Sequence, residues 1–146
     1  MDGSVAEQAD AADLKSAALR RGGSIPPGAI ERSFMQQLDI YIAGPMRGYP
    51  NHNFDAFMEA DRKLRRKWSS AVGLIYNPAQ MDLDEGFDPS QATDSKQHLK
   101  DCMTRDLNAI LKCDAIYMLP GWEKSEGAKV EHALAVYLGL KIFYET

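Results

Sequence analysis

Leu38-Asp39-Ile40-Tyr41-Ile42-Ala43-Gly44-Pro45 is the stretch that decides the fold. A short apolar run, stopped by Gly-Pro, reads as a strand buried on both faces. Such strands belong to parallel sheets, and parallel strands need a crossover, usually a helix, between them. The sequence downstream supplies that alternation. After a polar loop from Met46 to His52, Asn53 is placed to cap a helix. Phe54, Phe57, Met58, Leu64 and Trp68 share one face of it, while Arg62, Lys63, Arg65, Arg66 and Lys67 lie largely off that face. Val72–Tyr76 reads as the second strand, closed by Asn77-Pro78. Ser95 or Gln97 opens a second helix, with Leu99, Met103, Leu107, Ile110 and Leu111 as its apolar face. Residues 115–119 form a third strand ended by Pro120-Gly121. The loop from Trp122 to Gly127 leads into a third helix that turns Val130, Leu134, Tyr137 and Leu138 inward until Gly139 stops it. Residues 141–144 are the last strand.

Strands alternating with helices predict an α/β domain of three layers, with a mostly parallel sheet of flavodoxin or Rossmann type and strand order 2-1-3-4. That order puts the topological switch between the first and third strands, where such folds bind ligands at the carboxyl ends of the strands. Residues 79–94 have no clear period and are expected to form a solvated lid. The acids Asp82, Asp84, Glu85 and Asp88 around Gly86 have the composition of a calcium loop, but the bidentate Glu such a loop needs at its last position is missing. No metal is expected.

The rest of the chain sets the boundaries. Its 146 residues suffice for one core. Residues 37–146 are read as the domain, and residues 1–36 as a flexible extension rich in Ala, Ser, Gly and charge. A short helix over 11–21 within it is broken by Gly22-Gly23 and Pro26-Pro27. The net charge of −4 argues against a nucleic-acid polymer as partner, because general binders carry a basic patch. A small phosphorylated ligand is compatible with it. No apolar run approaches the ~18 residues of a membrane span, and no signal or transit peptide is recognisable. Cys102 and Cys113 form neither a disulfide framework nor a zinc pattern, which fits reduced thiols in a cytoplasmic protein.

Two loops would line the switch. In Gly44-Pro45-Met46-Arg47-Gly48, glycines let the backbone come close to a ligand, and Arg47 supplies a charge-assisted donor for phosphate. Such glycines also serve simply to turn the chain. Ser125 and Gly127 precede the third helix, a ready anion site, although Ser125 equally fits the role of helix cap. Glu131 sits about one turn into that helix, between inward-facing residues, where the helix dipole favours the ionised form of a nucleophile. A solvated Glu in the first turn is the plainer alternative. Asp106, next to Leu107 and one turn before Ile110, could give a second carboxyl for acid or orienting work. It could also be a surface Asp beside Arg105. Trp122 is the better candidate for stacking on a base, or else a dimer contact. Tyr41 and Tyr76 read as strand residues, His52 as a further stacking candidate, and His132 as surface or interface.

Residues 41–48, Arg105-Asp106-Leu107, Cys113-Asp114 and Ser125-x-Gly127-x-x-x-Glu131 together resemble the nucleoside 2-deoxyribosyltransferase-like superfamily. Within it the chain resembles a group found in phages and bacteria, and is similar to the 2′-deoxynucleoside 5′-monophosphate N-glycosidases. The resemblance implies a usually dimeric enzyme that needs no cofactor and breaks or exchanges the N-glycosidic bond of a nucleotide or nucleoside. Glu131 would attack C1′ of the sugar and Asp106 would assist as acid or orienting group. Gly44, Met46, Arg47, Gly48 and Ser125 would hold the 5′-phosphate. The N-glycosidases have more glycine before the glutamate, where this chain has Ala128-Lys129-Val130. The deoxyribosyltransferases carry a C-terminal Asn, and here the last residues are Tyr144-Glu145-Thr146. These departures favour hydrolysis, or nucleotide binding without cleavage, over base exchange.

Overall fold

The computed structural model describes residues 36–91 and 95–146. The expected extension, but for Gln36, and its helix over 11–21 lie outside the described residues. Four parallel strands form one sheet: β1 (Leu38–Ala43), β2 (Val72–Tyr76), β3 (Ala115–Met118) and β4 (Lys141–Tyr144), in the order β2-β1-β3-β4. The expected order holds, and every pairing is parallel.

Helices cover both faces, giving three layers. Helix α1 (Phe54–Lys67) packs Phe54, Phe57, Ala60 and Leu64 under Ile40 and Ile42. On the other face, α3 (Lys96–Ile110) and α4 (Glu126–Leu138) bury Ala109, Ile110 and Ala135 against Tyr41, Ala43 and Ile116. Successive side chains of a strand point to opposite faces, so one strand feeds both cores. The odd side chain of β1 on the second face, Tyr41, is thereby aimed between the sheet and α3/α4.

Of the expected lid over 79–94, residues 92–94 lie outside the described residues, and 79–91 are more ordered than their lack of period implies. They include α2 (Pro78–Asp84) and a 3-10 turn at Pro89–Gln91. Asn77 caps α2 by accepting from the backbone N–H groups of Ala79 and Gln80, and Pro78 occupies the first turn. Asn77-Pro78 is therefore a helix start as well as a strand stop. A seven-residue helix is too short to display an apolar stripe.

Leu99, Met103, Leu107 and Ile110 of α3 are buried or half-buried as expected, whereas α4 packs only Leu134 and Leu138 of its four expected residues on the core. Leu111 lies beyond the end of α3 and is exposed. Val130 is exposed and Tyr137 is 84% exposed, while Ala128, Glu131 and Ala135 face inward. Small residues bring α4 close to the sheet, and the close approach carries Glu131 inside. At the other end of α4, Gly139 takes the left-handed conformation that closes the helix, with φ of 71°.

Gly44 ends β1 where it meets the end of β3. A Cβ there would lie 2.7 Å from the Cβ of Leu119. The glycine is required by strand packing whether or not a ligand approaches it. Gly44→Ala is expected to destabilise the fold by about 1–3 kcal/mol, read as a lower urea midpoint with an unchanged m-value.

Candidate active site

A cleft of about 440 Å³ opens at the carboxyl ends of β1 and β3, within the roughly 300–1,000 Å³ usual for small-molecule sites. Its walls come from the β1–α1 loop, α2, α3 and the start of α4. Gly44, Met46, Arg47, Ser125, Gly127, Asp106 and Glu131 all line it. The two carboxyls, separated by two elements in sequence, thus share one cleft with the loop cation. Gly48 and Trp122 do not line it. Gly48 lies between Arg47 and Tyr49, which do line it, and takes the left-handed conformation that turns the chain. Trp122 stacks on His132 with ring centroids 4.2 Å apart, and the His132 ring pairs with the Tyr144 hydroxyl at 2.9 Å. This aromatic group braces the β3–α4 loop beside the last strand.

Glu131 is 6% exposed. Its carboxylate accepts a 2.5 Å hydrogen bond from the Tyr41 hydroxyl. Tyr41 itself is fully buried in the central strand. A phenol in that position needs a polar partner, and the partner is the site carboxyl. The signal in the sequence is a tyrosine in the apolar second half of the strand, Ile40 to Ala43, with a hydroxyl to satisfy.

Electrostatics correct the expected state of Glu131. Burial pushes its carboxyl up to about 8, and the charge of Asp106 adds to the effect. The hydrogen bond from Tyr41 and the charge of Arg105 pull it down, without cancelling the burial. The dipole argument for an ionised Glu131 fails because the effect fades past the first turn, where burial takes over. Burial also lifts Asp106 to about 6, against the opposing pull of Arg105. Between these values the pair holds one proton, which belongs to the pair more than to either residue.

Arg105 lines the cleft, a role that its place in the Arg105-Asp106-Leu107 motif does not by itself reveal. Its Nη1 donates to Asp82 at 2.7 Å and to Glu85 at 3.0 Å, while Nε and Nη2 lie 2.8 Å from Asp106. Asp82 is buried, not a solvated lid acid.

Further walls are aromatic. Phe87 stacks on His98 at 5.4 Å and 9°, and meets His52 edge-on at 5.4 Å. His52, with Asn51 and Asn53, forms three successive left-handed residues. Asn53 precedes α1 as expected, but its side chain does not cap the helix. It donates instead to the Pro45 carbonyl at 2.9 Å, holding this strained turn on the cleft. Lys124 is a further cation at the cleft, beside Ser125. The Ser125 hydroxyl accepts from the Ala128 N–H at 3.2 Å, so it caps α4 and lines the cleft together. Among the described residues, no group of three or more His, Cys, Asp or Glu side chains is placed to hold a metal ion, and no helix is long and apolar enough to cross a membrane. Cys102 and Cys113 are free thiols.

The carboxyl pair makes stability depend on pH. Both groups bind protons more tightly in the folded state than at their ordinary values of 4.5 and 3.8. Their contribution is therefore complete below those values and is lost as pH rises through about 6 and about 8. The stability difference between wild type and Glu131→Gln is expected to shrink by about 1 kcal/mol per pH unit from about pH 5 to about pH 8. Urea unfolding at stepped pH measures it, and a constant difference contradicts the burial argument. Tyr41→Phe is expected to cost about 1–3 kcal/mol and to raise the Glu131 titration further, read by carboxyl carbon NMR.

No curated protein and no solved structure matches the chain. A family model does match, over residues 38–144, the span that contains every strand, helix and cleft residue described above; the chain belongs to the family described as Domain of unknown function (DUF4406).

Proposed function

We propose that the protein hydrolyses the N-glycosidic bond of a (deoxy)nucleoside 5′-monophosphate. The observation that carries this reading is the buried Glu131 carboxyl, hydrogen-bonded to Tyr41 and coupled to Asp106, in a cleft that also presents Arg47, Lys124 and Ser125. A phosphate suits the cationic edge and the helix start. A sugar carbon that gathers positive charge suits the carboxyl pair.

In the first step an oxygen of ionised Glu131 bonds to C1′ while the bond from C1′ to the base nitrogen breaks. The electron pair leaves with the base, and the base takes up the proton held by Asp106. In the second step water attacks C1′ of the glycosyl ester, Asp106 accepts the water proton, and Glu131 is released as carboxylate. The productive form has the pair's single proton on Asp106. Tyr41 favours this form by donating to Glu131. Developing charge at C1′ draws the proton off Glu131 in the same direction. No metal or cofactor enters these steps.

The pH profile of kcat/KM is expected to be a bell with limbs near the pair's values of about 6 and about 8. The decisive experiment incubates the protein with a panel of ribo- and deoxynucleoside monophosphates and the matching nucleosides. Chromatography then reports free base. Release that depends on the 5′-phosphate and drops at least about 10²-fold in Glu131→Gln supports the reading. A new nucleoside formed with an added base identifies transfer instead. Unchanged nucleotide recovered from a stable complex identifies a binding module. The reading includes a homodimer, supported by exposed apolar side chains, Leu111 just past α3 and Val136 and Tyr137 on α4. Sedimentation of the purified protein checks it.

A further inference from the structure

Arg105 stands at the meeting point of three elements. It projects from α3, carries Asp106 on one edge of its guanidinium, and reaches Asp82 on α2 and Glu85 just beyond it with Nη1. Burial disfavours its charge, but Asp106 and Asp82 more than offset this and keep it cationic. Asp82 is at least as buried as Asp106, with relative exposures of 7% and 9%. Both carboxylates line the cleft. Between α2 and α3 the chain runs through Phe87 and the Pro89–Gln91 turn, and Phe87 also forms part of the wall.

We infer that Arg105 is a positioning residue that straps α2 and the following Phe87 wall onto Asp106, so that the cover of the cleft and the acid beside Glu131 are held by one side chain. The inference rests on the reading of Glu131 and Asp106 as the reacting pair. It adds a connection that the pair itself does not require. A planar fork makes that connection possible. Lys would carry the charge but would present a single ammonium to carboxylates on two helices.

The groups facing Asp106 come from every element packed around it. Tyr41 approaches from β1, Glu131 from α4, Asp82 and Glu85 from α2 and its end, and Arg105 and Cys102 from its own helix. Arg105 is the cation that acts on the pair, and it favours the charged form of both members. Asp82 disfavours the charged form of Asp106. Removing one or the other therefore moves the titration in opposite directions. A purely structural ion pair, remote from the pair's protons, would move it in neither.

The test uses carboxyl carbon NMR titration of Glu131 and Asp106, together with amide exchange of Glu85, Gly86 and Phe87, whose N–H groups bond back into α2. Arg105→Gln is expected to raise the pair's titration by about one to three pH units and to speed exchange of those amides about tenfold or more. Arg105→Lys should restore the titration and leave the exchange fast. Asp82→Asn should also speed exchange, but should lower the titration. Unchanged exchange in Asp82→Asn, or an unchanged titration in Arg105→Gln, overturns the inference. If Arg105→Gln does not fold, Arg105→Lys and Asp82→Asn decide it alone: fast exchange in both, with the titration lowered only in Asp82→Asn, is required. Both readouts are independent of turnover. A wild-type protein that releases no base overturns the glycosidase reading, and leaves the strap to stand or fall on these two measurements.

Discussion

The 2.5 Å hydrogen bond from the Tyr41 hydroxyl to the Glu131 carboxyl ties the central strand to the helix that closes the cleft. Both groups are buried, so neither has water as an alternative partner. An unmet phenol or carboxyl in that place costs far more than an average hydrogen bond contributes. The geometry around the bond follows from this. Helix α4 must come close enough to reach Tyr41, which is why Ala128 and Ala135 face the sheet. Larger apolar residues are turned off the sheet, Tyr137 outward and Val130 to the cleft. The carboxyl that results sits in a low-dielectric wall with a second carboxyl nearby, and both hold protons more tightly than they would in water.

Arg105 answers the charge that this arrangement creates. Asp82, Asp106 and Glu131 bring acid to the cleft, and Arg105 bridges the first two directly while also reaching the exposed Glu85. The opposite chemistry is supplied by the β1–α1 and β3–α4 loops, through Arg47 and Lys124. A cleft with acids on one wall and cations in its loops suits a ligand that is anionic at one end and becomes cationic at its centre. A nucleotide losing its base is such a ligand.

Much of this was legible in the residues. The alternation of short apolar runs with helical stripes carries the topology, because a run like Leu38–Ala43 has no stable place except inside a parallel sheet. The strand ends also located the cleft and its two carboxyls. Three features were not legible, each for a physical reason. The orientation of α4 was misread because apolar side chains were assumed to face inward, whereas small residues at the contact decided the rotation. The Asn77-Pro78 pair hid a helix too short to show a period. Trp122 was placed at the ligand from its loop position alone, and its stacking on His132 depends on β4, which lies far away in sequence. The charge of Glu131 was misjudged by weighing a helix dipole without knowing the depth of burial.

The most direct test of the account is to trap the covalent intermediate it requires. A nucleoside 5′-monophosphate with fluorine at the 2′ position of an arabino sugar slows both chemical steps, because the electronegative atom opposes positive charge at C1′. The protein, incubated with such a compound bearing an accepted base, is digested and the peptides are weighed. The account predicts a glycosyl phosphate adduct on the peptide containing Glu131, absent in Glu131→Gln. Release of base from the natural nucleotide with no adduct, or with an adduct on another residue, contradicts the assignment of Glu131 as nucleophile.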